Sequence, residues 1–225
     1  MNLLLARHGN TFGPGDTPVW VGADQDLPLV ETGKAQAETL GKALAEAKLV
    51  PTRIVAGPLK RTVEYGEIIS TLIEGPSVEI DPRLREIDYG SWGGKTTEDI
   101  IAKHGESSVQ AWNARGQWPE RGDWQPDLSD LRRDLKLLVN DISGSMGPDE
   151  TVLIISSNGI LRFFLDMVPG AFALRARDET LKTATGAISA IGQDGGAWIE
   201  RFWNQKPTAD LLKGLMPAEA DQPVA

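Results

Sequence analysis

Short apolar runs that end in polar turns are the strongest constraint on the fold of this chain. Asn2–Arg7 (NLLLAR) and Thr151–Ser156 (TVLIIS) are almost wholly apolar between their end residues, which is typical of strands buried on both faces of a parallel sheet. Helical patterns follow them, with Ala37, Leu40 and Leu44 at helical spacing after the first run. Strands that alternate with helices predict an α/β fold with a mainly parallel sheet.

The same patterns predict the remaining elements. The predicted helices are Thr32–Leu49 with Thr32 as N-cap, Leu59–Leu72 with Val63, Ile68 and Leu72 facing inward, Thr96–Lys103, Leu128–Ile142 and Ile160–Met167. The other predicted strands are Thr52–Ala56, Val78–Ile80 and a closing pair, Ala187–Ile191 and Ala197–Trp203, around a Gln-Asp-Gly-Gly turn.

Composition narrows the class of protein. With 225 residues, of which 40% are hydrophobic, the chain is long enough for one domain or for one domain with an inserted cap. It contains no cysteine, which excludes disulfides and cysteine-based metal sites and favours a cytoplasmic location. It has neither an apolar run of membrane-spanning length nor a signal-peptide pattern at its start, so we expect no membrane association. The net charge of −9 argues against nucleic acid as a partner.

Four polar clusters follow predicted strands or begin predicted helices. They are Arg7–Thr11 after the first strand, Gly57–Arg61, Leu84–Gly90, and Ser156–Gly159 after the core strand. Because the carboxyl ends of parallel strands meet at the edge of the sheet where open α/β folds bind ligands, we expect these clusters to converge.

The residue types in these clusters suit phosphoryl transfer. The guanidinium groups of Arg7 and Arg61 can each bind a phosphoryl group through two hydrogen bonds. A neutral imidazole such as that of His8 can attack phosphorus, and a carboxylic acid can protonate the leaving oxygen. The sequence has no cluster of Asp or His at metal-ligand spacing, so we expect neither a metal nor a cofactor.

Each of these residues also has a structural interpretation that the sequence leaves open. Arg61 fits an exposed position in the first turn of a helix, and Glu86 fits a surface ion pair worth under about 1 kcal/mol. Ser157 and Asn158 fit an N-cap pair. His104, which precedes a glycine, fits a cation at a helix C-terminus.

Five segments together resemble the histidine phosphatase superfamily, the phosphoglycerate mutase-like group. They read LLLARHGNT, DLPLVETGKAQAETLGKAL, GPLKRTVEYGEII, LREIDYGSWGGKT and VLIISSNGILRFF, and they follow the family order over most of residues 2–165. The resemblance implies a three-layer α/β/α sandwich with a mainly parallel central sheet. It also implies a cap insertion at about residues 91–128, within a single domain of residues 1–215. The Pro- and Ala-rich tail, residues 216–225, is expected to be mobile.

The resemblance also implies roles for individual residues. His8 resembles the nucleophile that becomes phosphorylated, and Arg7 and Arg61 resemble the phosphate clamp. Glu86 resembles the general acid, which then acts as general base toward water. Thr11 lies where a hydroxyl residue often helps to hold the phosphate. The predicted substrate-binding residues are Gly9, Asn10, Thr11, Ser157 and Asn158.

The sequence departs from the family pattern at two positions. The last motif normally carries a second catalytic histidine where this chain has Ser157. Mutases and many phosphatases carry an asparagine where it has Pro14. Loss of one preorganised transition-state donor typically lowers kcat by about 10²–10³-fold. The Ser157 hydroxyl and the Asn158 amide are neutral donors that can recover part of this loss.

The sequence therefore favours a phosphatase that hydrolyses small phosphomonoesters slowly or with narrow specificity. A phosphoglycerate-type mutase and an inactive module that binds phosphorylated ligands are the alternatives. In the cap, Arg115 and Arg121 are candidates for contact with a second anionic group of the substrate, and solvated arginines are the alternative. We expect a small phosphorylated substrate as the partner and a monomer or a homodimer.

Overall fold

A single mixed sheet of six strands organises the protein. The computed structural model describes residues 1–119 and 122–216. The strands are β1 (Asn2–Arg7), β2 (Arg53–Ala56), β3 (Val78–Ile80), β4 (Thr151–Ser156), β5 (Ile188–Asp194) and β6 (Ala197–Gln205). Their order is β3-β2-β4-β1-β5-β6. The first four strands in this order are parallel, and β5 and β6 are antiparallel to their neighbours. This topology confirms the predicted α/β class and its mainly parallel sheet.

Helices cover both faces of this sheet. They are α1 (Glu31–Ala47), α2 (Lys60–Leu72), α3 (Thr97–His104), α4 (Glu106–Arg115), α5 (Leu128–Ser143), α6 (Asn158–Leu161), α7 (Ala171–Arg177) and α8 (Ala209–Lys213). Short 3₁₀ helices span Pro82–Leu84, Gly90–Trp92 and Arg162–Met167. No helix in the described part of the chain is long and apolar enough to cross a bilayer.

Two hydrophobic cores, one on each face of the sheet, produce the three layers. Leu3 and Leu5 point into the core formed with α5 and the cap, whereas Leu4 and Ala6 point into the core formed with α1, α2 and α8. This alternation follows from the two-residue period of a strand. Because both faces are covered, β1 and β4 are apolar between their end residues, which explains why their bounds were predicted correctly.

The register of the central strands brings two polar clusters side by side. Arg7, the last residue of β1, pairs with Ser156, the last residue of β4. The His8 backbone N–H then donates to the carbonyl of Ser156 at 3.1 Å. His8 and Ser157 therefore leave the sheet next to each other.

The start of α1 is set by a close backbone contact and not by a capping side chain. The predicted N-cap at Thr32 is wrong, because the helix begins at Glu31 and Val30 is its N-cap, with no side-chain cap. A Cβ on Gly33 would lie 2.2 Å from the carbonyl oxygen of Asn10, and a Cβ on Gly9 would lie 2.3 Å from that of Gly33. The two glycines let the loop after β1 rest directly on α1.

The described residues of the expected cap, 91–119 and 122–128, contribute side chains to the core shared by β1 and β4. Trp92, Trp112 and Trp124 are fully buried there. Trp124 meets the other two rings edge-on at centroid distances of 5.1 and 5.0 Å. The division into one domain with a cap stays a prediction, and the tail from residue 217 lies outside the described residues.

Candidate active site

A cavity of about 500 Å³ opens at the carboxyl edge of the parallel strands. Its wall brings together seven of the predicted residues, namely Arg7, His8, Asn10, Thr11, Arg61, Glu86 and Asn158. They come from the four clusters that were expected to converge. Gly9 and Ser157 do not line the cavity.

His8 is held as a neutral imidazole with a defined tautomer. Its side chain is 6% exposed. Nδ1 lies 2.8 Å from the Gly9 carbonyl oxygen, to which it donates, and Nε2 accepts from Nε of Arg61 at 3.2 Å. Burial, together with the positive charges of Arg61 and Arg7, holds the pKa of His8 well below its usual value of 6.5. The lone pair that can attack phosphorus is therefore on Nε2.

This lowered pKa makes stability depend on pH. Below pH 6.5 this histidine is protonated in the unfolded chain but stays neutral in the folded protein. Protonation therefore stabilises the unfolded state, and the free energy of unfolding decreases as the pH falls below 6.5. Between pH 7.5 and 5.5 we expect the free energy of unfolding of the wild type to fall by about 1 kcal/mol more than that of His8→Gln. Urea unfolding at the two pH values measures this difference, and equal losses would contradict it.

The two arginines are fixed by backbone carbonyls. Arg61 is 2% exposed and donates to Gln25 O at 2.9 Å and to Gly22 O at 2.8 Å, which excludes the exposed position. Arg7 donates to Thr183 O at 2.7 Å. Burial lowers the pKa of both guanidinium groups, and the negative charge of Glu86 opposes this effect. These two fixed cations do not each have a carboxylate partner beside them. An anionic ligand would therefore stabilise them.

Glu86 lies beside these cations and not in a surface ion pair. Its Oε1 accepts from the Ile87 backbone N–H at 2.9 Å, and the residue is 8% exposed. The neighbouring Arg83 instead pairs with two aspartates, and Arg85 donates to Ala23 O. A carboxyl group that lines the same cavity as an imidazole can exchange protons with a bound ester.

Comparison with known proteins agrees with this geometry. The sequence pattern of the histidine phosphatase superfamily (branch 1) matches residues 3–206. The chain belongs to this superfamily. Glucosyl-3-phosphoglycerate phosphatase of Mycobacterium tuberculosis is 27% identical over 222 residues, which cover 93% of this chain and 88% of the relative. A protein of Erwinia tasmaniensis named as a probable phosphoglycerate mutase is 24% identical, with 94% of each chain covered.

A solved structure shares the fold. The structure of mycobacterial glucosyl-3-phosphoglycerate phosphatase has a TM-score of 0.76 and 20% identity, and the match covers 91% of this chain and 99% of that one. Membership of the histidine phosphatase superfamily, together with phosphatase relatives, supports a phosphoric monoester hydrolase.

Ser157 occupies the position at which the chain departs from the histidine phosphatase pattern, and its side chain is placed differently from that of Asn158. Ser157 is 2% exposed, and its hydroxyl is buried without a hydrogen-bond partner among the described residues. Asn158 lines the cavity instead, and its Oδ1 accepts from the Thr183 backbone N–H at 2.8 Å. Because Oδ1 accepts this bond, the side-chain NH2 of Asn158 can donate to a ligand in the cavity.

Gly159 makes room for the carboxyl group of Glu86. A Cβ at this position would lie 2.3 Å from Oε1 of Glu86 and 2.7 Å from the hydroxyl of Tyr89. Gly159→Ala therefore displaces the carboxyl group, and we expect about 10²-fold lower kcat/KM, as for other misplacements of about 1 Å. Gly144→Ala, at a helical position where the nearest atom is 3.4 Å away, is the matched control and should retain activity. Full activity in Gly159→Ala would argue against a role for this carboxyl group.

Several residues on the wall were not predicted. Trp20, Tyr89, Trp112, Lys182 and Thr185 line the cavity. Tyr89 belongs to the predicted Leu84–Gly90 cluster but was not among the predicted site residues, and Trp20 and Trp112 lie outside all four clusters. Lys182 and Thr185 carry no local signal, because only the return of the chain into β5 brings them here.

Arg115 does not supply the expected second anion contact. Arg115 is exposed, lies off the cavity wall and donates to Gln117 at 3.2 Å. The solvated alternative therefore holds for this residue. Arg121 lies outside the described residues.

Proposed function

We propose that this protein hydrolyses small phosphomonoesters through a phosphohistidine intermediate on His8. One observation carries the proposal: a buried, neutral imidazole, whose Nε2 accepts from Arg61, lines a single cavity with a second fixed guanidinium group and one carboxyl group. The phosphatase relatives support the same reaction class.

The first step transfers the phosphoryl group to the protein. The Nε2 lone pair of His8 attacks phosphorus while the bond from phosphorus to the ester oxygen breaks. Protonated Glu86 gives its proton to that oxygen, so the alcohol leaves neutral. The positive charge that develops on the imidazole is stabilised by the bond from Nδ1–H to the Gly9 carbonyl. Arg7 and Arg61 stabilise the charge on the phosphoryl oxygens.

The second step returns the protein to its starting state. The Glu86 carboxylate takes a proton from water, and the water oxygen attacks phosphorus. The P–N bond breaks, and its electron pair returns to Nε2 of His8. The products are inorganic phosphate and protonated Glu86, ready for the next ester.

Trapping the intermediate tests this proposal directly. We expect a ³²P-labelled aryl phosphate, quenched with alkali during turnover, to leave label on a peptide that contains His8, because phosphohistidine survives base and is lost in acid. Label lost in base, or found on another residue, would overturn the phosphohistidine route. Stabilisation by inorganic phosphate without turnover of any ester would instead indicate a binding module.

Isomerisation tests the remaining alternative. A mutase must hold the phosphoenzyme against water while the intermediate reorients, which requires a more complete pocket. This chain has Ser157 in place of the second histidine, and Pro14 where mutases and many phosphatases carry an asparagine. We therefore expect no isomerisation of a phosphoglycerate in the presence of a bisphosphate primer. Its detection would favour the mutase.

We propose further that the pocket is rebuilt around Asn158 and does not simply lack a histidine. The fixed amide of Asn158 and the buried position of Ser157 support this view. Ser157→His then inserts a bulky ring at a fully buried site, and we expect kcat to stay unchanged or to fall. Steady-state hydrolysis of 4-nitrophenyl phosphate measures this kcat. Ser145→His, which places the same ring on an exposed loop, is the control. A rise in kcat would show that the site only lacks a donor.

The expected partners of this activity remain predictions. We infer a small phosphorylated substrate, with no nucleic acid, from the charge of the chain and the size of the cavity. A cytoplasmic location and a monomer or homodimer are consistent with the sequence.

A further inference from the structure

We infer that Gln36, a residue of α1, is a positioning residue for the nucleophile, because its side-chain amide holds the peptide group that accepts from Nδ1–H of His8. This inference rests on the proposed function, in which Nε2 of His8 attacks phosphorus. Gln36 belongs to none of the four polar clusters of the sequence and does not line the cavity. It acts on the site from α1, through the loop that follows β1.

A single peptide group links Gln36 to His8. The carbonyl of Gly9 accepts from Nδ1–H of His8 at 2.8 Å. The N–H of Asn10, which belongs to the same peptide group, donates to Oε1 of Gln36 at 2.8 Å. The imidazole and the Gln36 side chain therefore bond to opposite ends of one peptide dipole.

The second hydrogen bond of Gln36 fixes the orientation of its amide. Nε2 of Gln36 donates to the carbonyl of Thr185 at 3.2 Å. A backbone N–H can only donate and a backbone carbonyl can only accept, so Oε1 faces Asn10 and the NH2 group faces Thr185. Asn10 and Thr185 both line the cavity. The amide of Gln36 thus joins two parts of the cavity wall that are distant in the sequence.

Close packing restricts the side chain of Gln36. Gly186 has a φ of 71°, and a Cβ at this position would lie 2.9 Å from Cβ of Gln36 and 3.0 Å from its Cγ and Cδ. The Gly186 N–H lies 3.2 Å from the carbonyl oxygen of Arg7, the last residue of β1. The hydroxyl of Tyr65 donates to the backbone carbonyl of Gln36 at 3.3 Å. The side chain therefore rests on backbone that is itself bonded to the end of β1.

These contacts form a chain of amide hydrogen bonds that ends on the imidazole. It runs from the Thr185 carbonyl through the Gln36 amide and the Gly9–Asn10 peptide group to Nδ1–H of His8. Hydrogen bonds in such a chain polarise one another, so the bond from Asn10 to Gln36 makes the Gly9 carbonyl a stronger acceptor. Positive charge develops on the imidazole when Nε2 attacks phosphorus, and a stronger acceptor at Nδ1–H stabilises it. Neutral amides thus do for His8 what a buried aspartate does in the triads of serine proteases.

Gln36→Met tests the inference, because it keeps the length of the side chain and removes both hydrogen bonds. We expect kcat/KM for 4-nitrophenyl phosphate to fall roughly tenfold, the upper range for a single neutral hydrogen bond. The inhibition constant of inorganic phosphate should stay unchanged, because Arg7 and Arg61 keep their own carbonyl partners. Gln36→Glu retains an acceptor for the Asn10 N–H and should restore most of the loss.

The ¹⁵N chemical shift of Nδ1 gives a readout that does not depend on catalysis. The chain contains two histidines, so His104→Gln assigns their signals. At neutral pH, Gln36→Met should move the Nδ1 resonance of His8 upfield, because its hydrogen bond to Gly9 is weaker, and Gln36→Glu should return it. Gln110→Met makes the same substitution at an exposed position of α4 and should change neither the resonance nor the kinetic constants.

Three results would overturn the inference once thermal melting has shown that the variants are folded. The first is a wild-type Nδ1 shift in Gln36→Met, since the amide would then not act on the imidazole. The second is an equal loss of phosphate affinity and of kcat/KM, which would place the effect on the phosphate clamp. The third is an equal loss in Gln36→Met and Gln36→Glu. Failure of the proposed function appears elsewhere, as wild type that forms no phosphohistidine while the Nδ1 shift still responds to Gln36→Met.

Discussion

Replacement of His8 by alanine should reduce kcat for 4-nitrophenyl phosphate by at least about 10⁴-fold, in line with removal of the nucleophile from other covalent enzymes. The reason is geometric as well as chemical. No other imidazole is on the cavity wall described here, since the second histidine of the chain, His104, is at the C-terminal end of α3. Steady-state release of nitrophenolate at neutral pH measures the loss.

The second histidine provides the control for this experiment. The ring of His104 packs against the buried ring of Trp92, with 5.5 Å between the ring centroids. His104→Gln should therefore retain turnover, after thermal melting has shown that both variants are folded. Turnover that survives in His8→Ala would reject the phosphohistidine mechanism.

Replacement of Glu86 by glutamine should produce the second large effect, and it should depend on the leaving group. The glutamine keeps an oxygen that can accept from the Ile87 N–H, but it cannot supply a proton. We expect kcat/KM for an alkyl ester such as glycerol phosphate to fall by about 10²–10⁴-fold, the usual contribution of a positioned general acid. The same parameter for 4-nitrophenyl phosphate should fall far less, because nitrophenolate leaves without a proton.

A burst of product separates the acid role of Glu86 from its base role. Loss of the base slows attack of water on the phosphohistidine for every substrate. Rapid mixing of Glu86→Gln with 4-nitrophenyl phosphate should therefore release one equivalent of nitrophenolate quickly and then turn over slowly. Equal losses of kcat/KM for both esters, with no burst, would show that Glu86 acts only on the shape of the pocket.

The sequence predicts those parts of the fold and the site that depend on local pattern. The apolar β1 and β4 are unmistakable because both faces of the sheet are covered. The polar residues that follow them converge because parallel strands end at one edge. Thus Arg7, His8 and Asn158 were expected together, and the structure brings them onto one cavity wall.

Elements held mainly by tertiary contacts were missed or misplaced. Helices α4, α7 and α8 were not predicted, because they are short and their apolar spacing is weak. The predicted helix Ile160–Met167 is α-helical only to Leu161 and continues as a 3₁₀ helix to Met167. Pro169 disfavours helical backbone at the preceding residue, which limits the segment.

In helix α2, the residues that face the core differ from those that hydrophobic spacing predicts. Val63, Ile68 and Leu72 were predicted to face inward, yet Leu72 is 40% exposed and the buried face carries Tyr65 and Ile69. This orientation also buries Arg61 at the first turn. Hydrophobic spacing alone does not reveal that a charged side chain belongs on the inner face.

The bond from Arg61 to Nε2 of His8 has a consequence for the idle enzyme. The lone pair that we propose attacks phosphorus accepts the Nε–H of Arg61. An ester must attract the guanidinium to its own oxygens before that lone pair is released. If His8 is the nucleophile, we expect the charge of its substrate to release this lone pair, and we expect uncharged electrophiles in the cavity to react with His8 slowly.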